Sequence, residues 1–472
     1  DDLHSKAVAW HETNGDLSEA ICHALAARDT ETATRLIEKG ALEALKRGEL
    51  RLILTWVDRL PDTALASAPL LFIHHTWVLV IIGQLEVVRS RIENIDWVGN
   101  AIEDTDEIQK KEVLGLVAGL KAILMLWDRD YTKGLEFANQ AVINLPKDNW
   151  VAGYCATVEG FISWASGDLD SAQDAFAHSF AIGQACGDIM LMVSAVCNLA
   201  HAIEHKGHLQ QALKLFQDSF QFAEQDGLAL PVAGYCNGDL ARILYELNNL
   251  EAASQHLEES IDLCQLLGDR RAETIGHCLL ARVRLAQGNH AGVLDSIEKA
   301  RDADPSPDIP FDLRGGEYPQ IWLWLKESKL KDLETWLLES GISIDDEPNF
   351  KTKLTYAMHA RVLVALGREY PDGTYLNDAL NLLEKLLGMA ESNGWGRRMI
   401  EILALQALAL ELKRDITQAM QTLERALALA ESEGYVRTFV DEGPPMARLL
   451  YEALSREIAP DYVRKLLAAF PG

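Results

Sequence analysis

The sequence predicts an all-α superhelix of tandem helix pairs, about ten in number and wound right-handed. Three observations predict it. A short phrase recurs at a fixed spacing, the segments between its copies carry helical apolar periodicity, and no stretch sustains strand-like alternation.

The recurring phrase is a turn residue, then leucine, then a small residue three positions on. It reads Gly167-Asp168-Leu169 with Ala172, Gly207-His208-Leu209 with Ala212, Asn248-Asn249-Leu250 with Ala253, and more weakly Gly288-Asn289-His290 with Val293. Its third residue recurs at intervals of 40, 41 and 40. The phrase returns at Tyr375-Leu376 with Ala379 and Asp415-Ile416 with Ala419. Looser copies begin at Gly15, Gly48, Gly83 and Asp130, and a degraded unit surrounds Leu330.

Each unit resolves into helix A, a tight turn and helix B. From 209 to 223 the apolar residues step by three and four, which gives one buried stripe. The preceding segment, 189–203, is apolar almost all round, as a helix packed between neighbours must be. Gly or Asn suits the turn because the chain passes there through the left-handed region. Ala200, Ala241, Ala281 and Gly160 stand nine before the turn position of their units, and Ala172, Ala212 and Ala253 three after it. Small side chains at both places let the two helices approach closely. This is the tetratricopeptide pattern, lengthened from 34 to about 40 residues. Two segments break the rhythm. The stretch 302–319, rich in proline and glycine, and the stretch 341–350 read as loops, the first able to cover one face.

Composition narrows the function. At 472 residues the chain is too long for one compact core and suits a solenoid. A net charge of −27 opposes binding to nucleic acid or anionic membranes by this segment. The longest apolar run, 77–82, is far too short to span a bilayer. Seven cysteines with no C-x-x-C pair, and an opening without a signal peptide, predict reduced thiols in a cytoplasmic protein.

One motif has catalytic form. His201-Ala202-Ile203-Glu204-His205 matches H-x-x-E-H, which places two histidines on one helix face as a zinc peptidase requires. It lies inside a well-formed repeat immediately before the turn at Gly207, so surface or groove histidines are expected there, with no metal and no catalytic residue. In tetratricopeptide arrays helix A lines the groove. Its inward positions predict a ligand-binding set of Tyr154, Phe161, Trp164, His201, Glu204, His205, Tyr235, Arg242, Tyr245 and Arg282. His201, Arg242 and Arg282 take equivalent places in three successive units and should form a polar ladder flanked by aromatic faces, which suits a polar organic ligand. Trp322, Trp324 and Tyr356 are further candidates.

Several stretches carry a family resemblance. The opening Leu3-His4, Ala9-Trp10, Asn14-Gly15, Glu19-Ala20-Ile21 and His23-Ala24-Leu25-Ala26-Ala27 resembles the MalT-like, LuxR-type ATP-binding transcription activators of the STAND class. So do Trp56-Val57-Asp58-Arg59-Leu60-Pro61, Ala360-Arg361-Val362-Leu363-Val364-Ala365, and the closing Glu433-Gly434-Tyr435-Val436-Arg437 with Phe439-Val440-Asp441-Glu442-Gly443-Pro444-Pro445-Met446. The resemblance implies a helical arm at 1–60 following a winged-helix segment, a sensor superhelix at 61–430, and a connector at 431–472 leading toward a helix-turn-helix head. It implies a small-molecule inducer as partner, with self-association or contact to other domains of the same regulator. The chain contains no G-x-x-x-x-G-K-[ST] loop, so no cofactor is expected in this segment, and ATP or ADP belongs to an N-terminal module outside it. The competing expectation is a tetratricopeptide scaffold that binds a peptide or partner protein.

Overall fold

A computed structural model describes residues 2–102, 106–146, 149–225, 228–229, 232–303, 317–340 and 353–471. Helices α1 (Asp2–Asn14) and α2 (Leu17–Ala26) form the first pair. α3 (Thr30–Lys46) is followed by the short α4 (Leu50–Val57) and α5 (Asp62–Leu65), and α6 (Pro69–Ile81) by α7 (Leu85–Glu93) and α8 (Asp96–Ala101). Regular pairs then follow: α9 (Glu107–Trp127) with α10 (Tyr131–Asn144), α11 (Trp150–Ser166) with α12 (Leu169–Cys186), α13 (Ile189–His205) with α14 (Leu209–Ser219), and α15 (Ala233–Glu246) with α16 (Leu250–Leu267). α17 (Arg270–Ala286) pairs with α18 (His290–Ala303), α19 (Glu317–Lys326) with α20 (Leu330–Glu339), α21 (Lys353–Glu369) with α22 (Tyr375–Ser392), and α23 (Gly396–Leu412) with α24 (Ile416–Ala430). α25 (Arg437–Val440), α26 (Pro444–Ser455) and α27 (Pro460–Ala468) end the chain.

The pairs arise where the repeat places them. Gly167, Gly207, Asn248 and Gly288 all have positive φ, between 65° and 97°, at the turn from helix A to helix B. Asp168 caps α12 by accepting from the Ser171 N–H, and Asp415 caps α24 through Gln418. Ala200, Ala241, Ala281, Ala172, Ala212 and Ala253 are all fully buried. At Gly160 the space a Cβ would need is filled by the Phe176 ring. α13 is buried on most of its circumference, because it packs against α11, α12, α14 and α15 and also against α3 and α23. One apolar core runs from Val8 to Leu466, across the expected boundaries near 60 and 430.

Two expectations need correction. The stripe from 209 to 223 is not helical to its end: α14 stops at Ser219, whose hydroxyl donates to the Phe216 carbonyl at 2.6 Å. The chain then forms a two-stranded antiparallel ribbon, β1 (Glu224–Gln225) and β2 (Leu228–Ala229), where no sheet was expected. Asp226-Gly227, between the strands in sequence, is a hairpin-forming dipeptide, and Pro231 follows closely. Of the expected loop at 302–319, residues 302–303 and 317–319 belong to α18 and α19. The remainder, 304–316, and the whole of 341–350 lie outside the described residues.

The superhelix also closes on itself. Trp395 donates its indole N–H to the Gly167 carbonyl at 3.1 Å, and Tyr435 its hydroxyl to the Gly207 carbonyl at 3.4 Å. These are the same contact made one repeat apart. At the join, a Cβ on Gly396 would run into the Lys206 carbonyl, so the close approach of α23 to the end of α13 requires glycine there.

Candidate functional site

Closure of the superhelix assembles a ring of side chains from six A helices. On α13, Glu204 takes ion pairs from Arg242 of α15 and, at 2.5 Å, from Arg397 of α23. Tyr245 on α15 lies under the guanidinium of Arg282 on α17, with 5.2 Å to the ring centre. Arg282 in turn lies over Trp322 of α19 at 4.8 Å, and Arg361 of α21 lies over the same indole at 4.4 Å. Arg361 pairs with Glu401 of α23 at 3.0 Å, which returns the circuit to the helix that carries Arg397.

The final segment enters the ring as well. Asp441, just past α25, accepts from the Tyr245 hydroxyl at 2.5 Å and from Arg437, and lies 3.4 Å from Arg282. Glu442 pairs with Arg361 at 2.9 Å. Glu246 accepts from both the backbone N–H and the hydroxyl of Thr438 at 2.8 Å, while Val436 N–H donates to the Glu246 carbonyl at 2.9 Å.

The electrostatics are those of a shielded network. Glu204 is only 1% exposed. Burial alone would raise its pKa, but the guanidiniums of Arg242 and Arg397 outweigh that and hold it at about 2. Glu401 stands at about 2 for the same reason, with Arg398 and Arg361 overcoming burial. Glu246 and Glu442 lack so strong a compensation, and burial pushes both up. Among the described residues, Arg242 Nη2 and Arg437 Nε in this network are buried without a hydrogen-bond partner.

The structure brings together five of the expected ligand residues: His201, Glu204, Arg242, Tyr245 and Arg282. His201 Nε2 meets Asp239 at 2.5 Å, so it joins the network one step from Arg242, which is itself 3.9 Å from Asp239. Trp164 meets His201 and His205 in T-shaped contacts, with ring centres at 5.9 and 5.0 Å, and Phe161 stacks on Trp164 at 6.1 Å. His205 Nδ1 contacts the His201 carbonyl at 3.0 Å. The three polar side chains of the H-x-x-E-H motif are therefore used in packing and pairing. Two residues fall elsewhere. Tyr235 donates to Asp269 at 2.7 Å, away from the ring. Tyr154 is a correction: it is buried in the core, with the Trp77 ring of α6 at 5.1 Å and the Trp150 ring of its own helix at 5.7 Å, where a groove residue was expected. The ladder of His201, Arg242 and Arg282 is likewise not an open polar surface. Its members are engaged by Asp239, Glu204 and Asp441.

Arg397, Glu401, Arg437, Asp441, Glu442 and Trp322 complete the ring. Trp322 stands eight before Leu330, the equivalent of His201, Arg242 and Arg282. Arg361, Arg437, Asp441 and Glu442 all lie within the stretches that carry the family resemblance. That was the one signal in the sequence that set them apart.

A family comparison agrees with this architecture. The family described as MalT-like TPR region matches residues 115–456. The serine/threonine-protein kinase PknK of Mycobacterium tuberculosis is 22% identical over 314 residues, covering 66% of this chain and 28% of its own length. The HTH-type transcriptional regulator MalT of Vibrio cholerae is 21% identical over 449 residues, covering 94% of this chain and 48% of its own. The chain thus spans between about a quarter and a half of these relatives. Among solved structures, a Rap protein complexed with competence and sporulation factor aligns over 86% of this chain and 98% of its own, with 12% identity and a TM-score of 0.43. The apo quorum sensor NprR from B. thuringiensis aligns over 89% and 99%, with 11% identity and a TM-score of 0.39. With a family match over most of its length, on a fold built from the same repeat, the chain belongs to the MalT-like TPR region family.

Proposed function

We propose that this chain is the sensing module of a MalT-like transcription regulator and that a small polar inducer binds at the ring of A helices. The observation that carries this reading is that two buried guanidinium nitrogens of the ring, Arg242 Nη2 and Arg437 Nε, have no hydrogen-bond partner among the described residues, and that the Arg437 guanidinium lies over the Tyr245 ring at 5.6 Å. Buried donors are nearly always satisfied, and leaving one unpaired costs about 1–3 kcal/mol. A ligand bearing carboxylate or hydroxyl oxygens would supply those acceptors and stack its apolar faces on the rings.

Such a ligand would compete with Glu204 and Asp441 for the same guanidiniums. It would thereby change how α13 meets α23 and how α15 meets α25. Asp441 and Glu442 lie on the closing segment, so the state of the ring would pass directly into the connector. In the whole regulator that change would bias self-association, with ATP or ADP held in another module. This reading makes the chain a binding module and not an enzyme.

The test is a thermal-shift screen of the untagged chain against a metabolite library, since a ligand that binds only the folded form raises its stability. Compounds that shift the melt should bind about tenfold or more weakly to the Arg242→Ala and Arg437→Ala chains. Removing Arg242 also unpairs a buried carboxylate, so affinities must be compared at temperatures where each variant is folded. Unchanged affinity in both variants would place the ligand elsewhere.

The scaffold reading is favoured by a different surface. Ile108 and Leu114 on α9, with Leu135, Val142 and Ile143 on α10, are exposed large apolar side chains on one helix pair. A partner protein or peptide would use that helix pair.

A further inference from the structure

We infer that the first helix pair is a binding site for a divalent first-row transition metal of the zinc class, held by His11 on α1 and by Glu19 and His23 on α2. This departs from the expectation of no metal in this segment, and it concerns residues that no part of the ring uses.

The ligand atoms of His11, Glu19 and His23 all lie within 4.8 Å of one another. Donors bonded to one tetrahedral cation at about 2.0–2.2 Å stand about 3.3–3.6 Å apart, so side-chain rotations would draw these three atoms onto one ion. Glu19 and His23 are four apart on α2 and so share a face, while His4 and His11, seven apart on α1, share the opposing one. His4 adds a further nitrogen. Its Nδ1 lies 2.9 Å from Nδ1 of His23, and the His23 ring has its neighbours' centres at 5.1 Å (His4) and 5.4 Å (His11). Two imidazoles thus share one carboxylate, with the His4 ring beside that of His23. Two facing Nδ1 atoms need a proton or a cation between them. Among the described residues His11 Nδ1 is buried with no hydrogen-bond partner, and the Asp16 carboxylate is 3.7 Å away.

The donor set is imidazole nitrogen and carboxylate oxygen with no thiolate. Zinc, cobalt and nickel favour such ligands, and calcium or magnesium does not.

The local packing gives the metal a role. Among the described side chains of α1 only Val8 is buried, while Leu3 and Trp10 are 81% and 61% exposed. Apolar burial therefore attaches this helix to α2 weakly, and a cation shared across the pair would clamp it.

The experiment is a cobalt titration of the untagged, chelator-treated chain, read by ligand-field absorption and by hydrogen exchange of α1. One equivalent of cobalt should bind, zinc should displace it, and metal should slow exchange across 3–14. His23→Ala should lose the absorption. Glu19→Gln, an isosteric change at an exposed position, should weaken binding by about tenfold or more. His178→Ala, an exposed histidine outside the group, should bind like the parent. Absence of a stoichiometric site overturns the inference. So does cobalt bound at full affinity by the His23→Ala or Glu19→Gln chain, whichever residues then hold it.

Discussion

At the scale of single residues, two deeply buried acids, Glu204 and Asp188, have opposite fates. Glu204 has two guanidiniums and stays ionised. Asp188, also fully buried, caps α13 by accepting from the Leu191 N–H at 2.9 Å with Oδ1, while its Oδ2 has no hydrogen-bond partner. Burial raises its pKa to about 7, against the opposing effects of the Leu191 hydrogen bond and of Lys46. An unfolded aspartate titrates near 3.9. The folded form therefore binds its proton more tightly, and the stability this contributes is complete below about pH 4 and lost as pH rises through about 7. Asp188→Asn keeps the capping oxygen and removes the charge. We expect it to melt higher than the parent at pH 8, by an amount on the order of a few kcal/mol in stability, and to lose that advantage toward pH 4. Melting temperatures of the two chains from pH 4 to 8 check this. Parallel profiles would mean that Asp188 does not titrate in that window. His74, His75 and His359, each lowered to about 4 by burial, titrate in both chains and cancel in the difference.

At the scale of elements, the join between superhelical turns depends on one glycine. Gly396 begins α23 with its Cα against Lys206 and Gly207, and a methyl group there would meet main chain on the opposite side and not a flexible side chain. Gly396→Ala should therefore cost about 1–3 kcal/mol. Gly388, inside α22 with nothing within 4 Å of where its Cβ would lie, is the control, and Gly388→Ala should stabilise by about 0.5–1 kcal/mol. Denaturant melts of the two variants distinguish a packing effect at the join from a general effect of alanine in helices. Equal shifts would show that the join contributes little. The elements themselves were largely legible beforehand. Leu169, Leu209 and Ala172 mark unit boundaries because a 40-residue repeat must put the same side chains into the same contacts. The early end of α14 was not legible, since its apolar stripe continues to Ala223, which is buried although it is no longer helical.

At the scale of the whole molecule, half of the candidate site was legible and half was not. Counting back from each turn finds the inward face of helix A, and so finds His201, Glu204, Arg242, Tyr245 and Arg282. It cannot find their partners across the join. Arg397 is 193 residues from Glu204, and Asp441 is 196 from Tyr245. Periodicity describes what a unit offers to the next unit, whereas closure depends on the summed rotation of several units. Tyr154 shows the same limit from the other side: its position in the repeat is that of a groove residue, but α6 supplies Trp77 to cover it.

The central claim is that the closed ring, and not an outer face, senses the ligand. Amide hydrogen exchange across the whole chain, with and without a compound from the thermal-shift screen, tests it most directly. The account predicts that ligand changes protection together at 201–208, 239–246, 395–401 and 435–442, the four segments that meet at the join. A ligand that alters protection only on α9 and α10, or only outside those four segments, would contradict it.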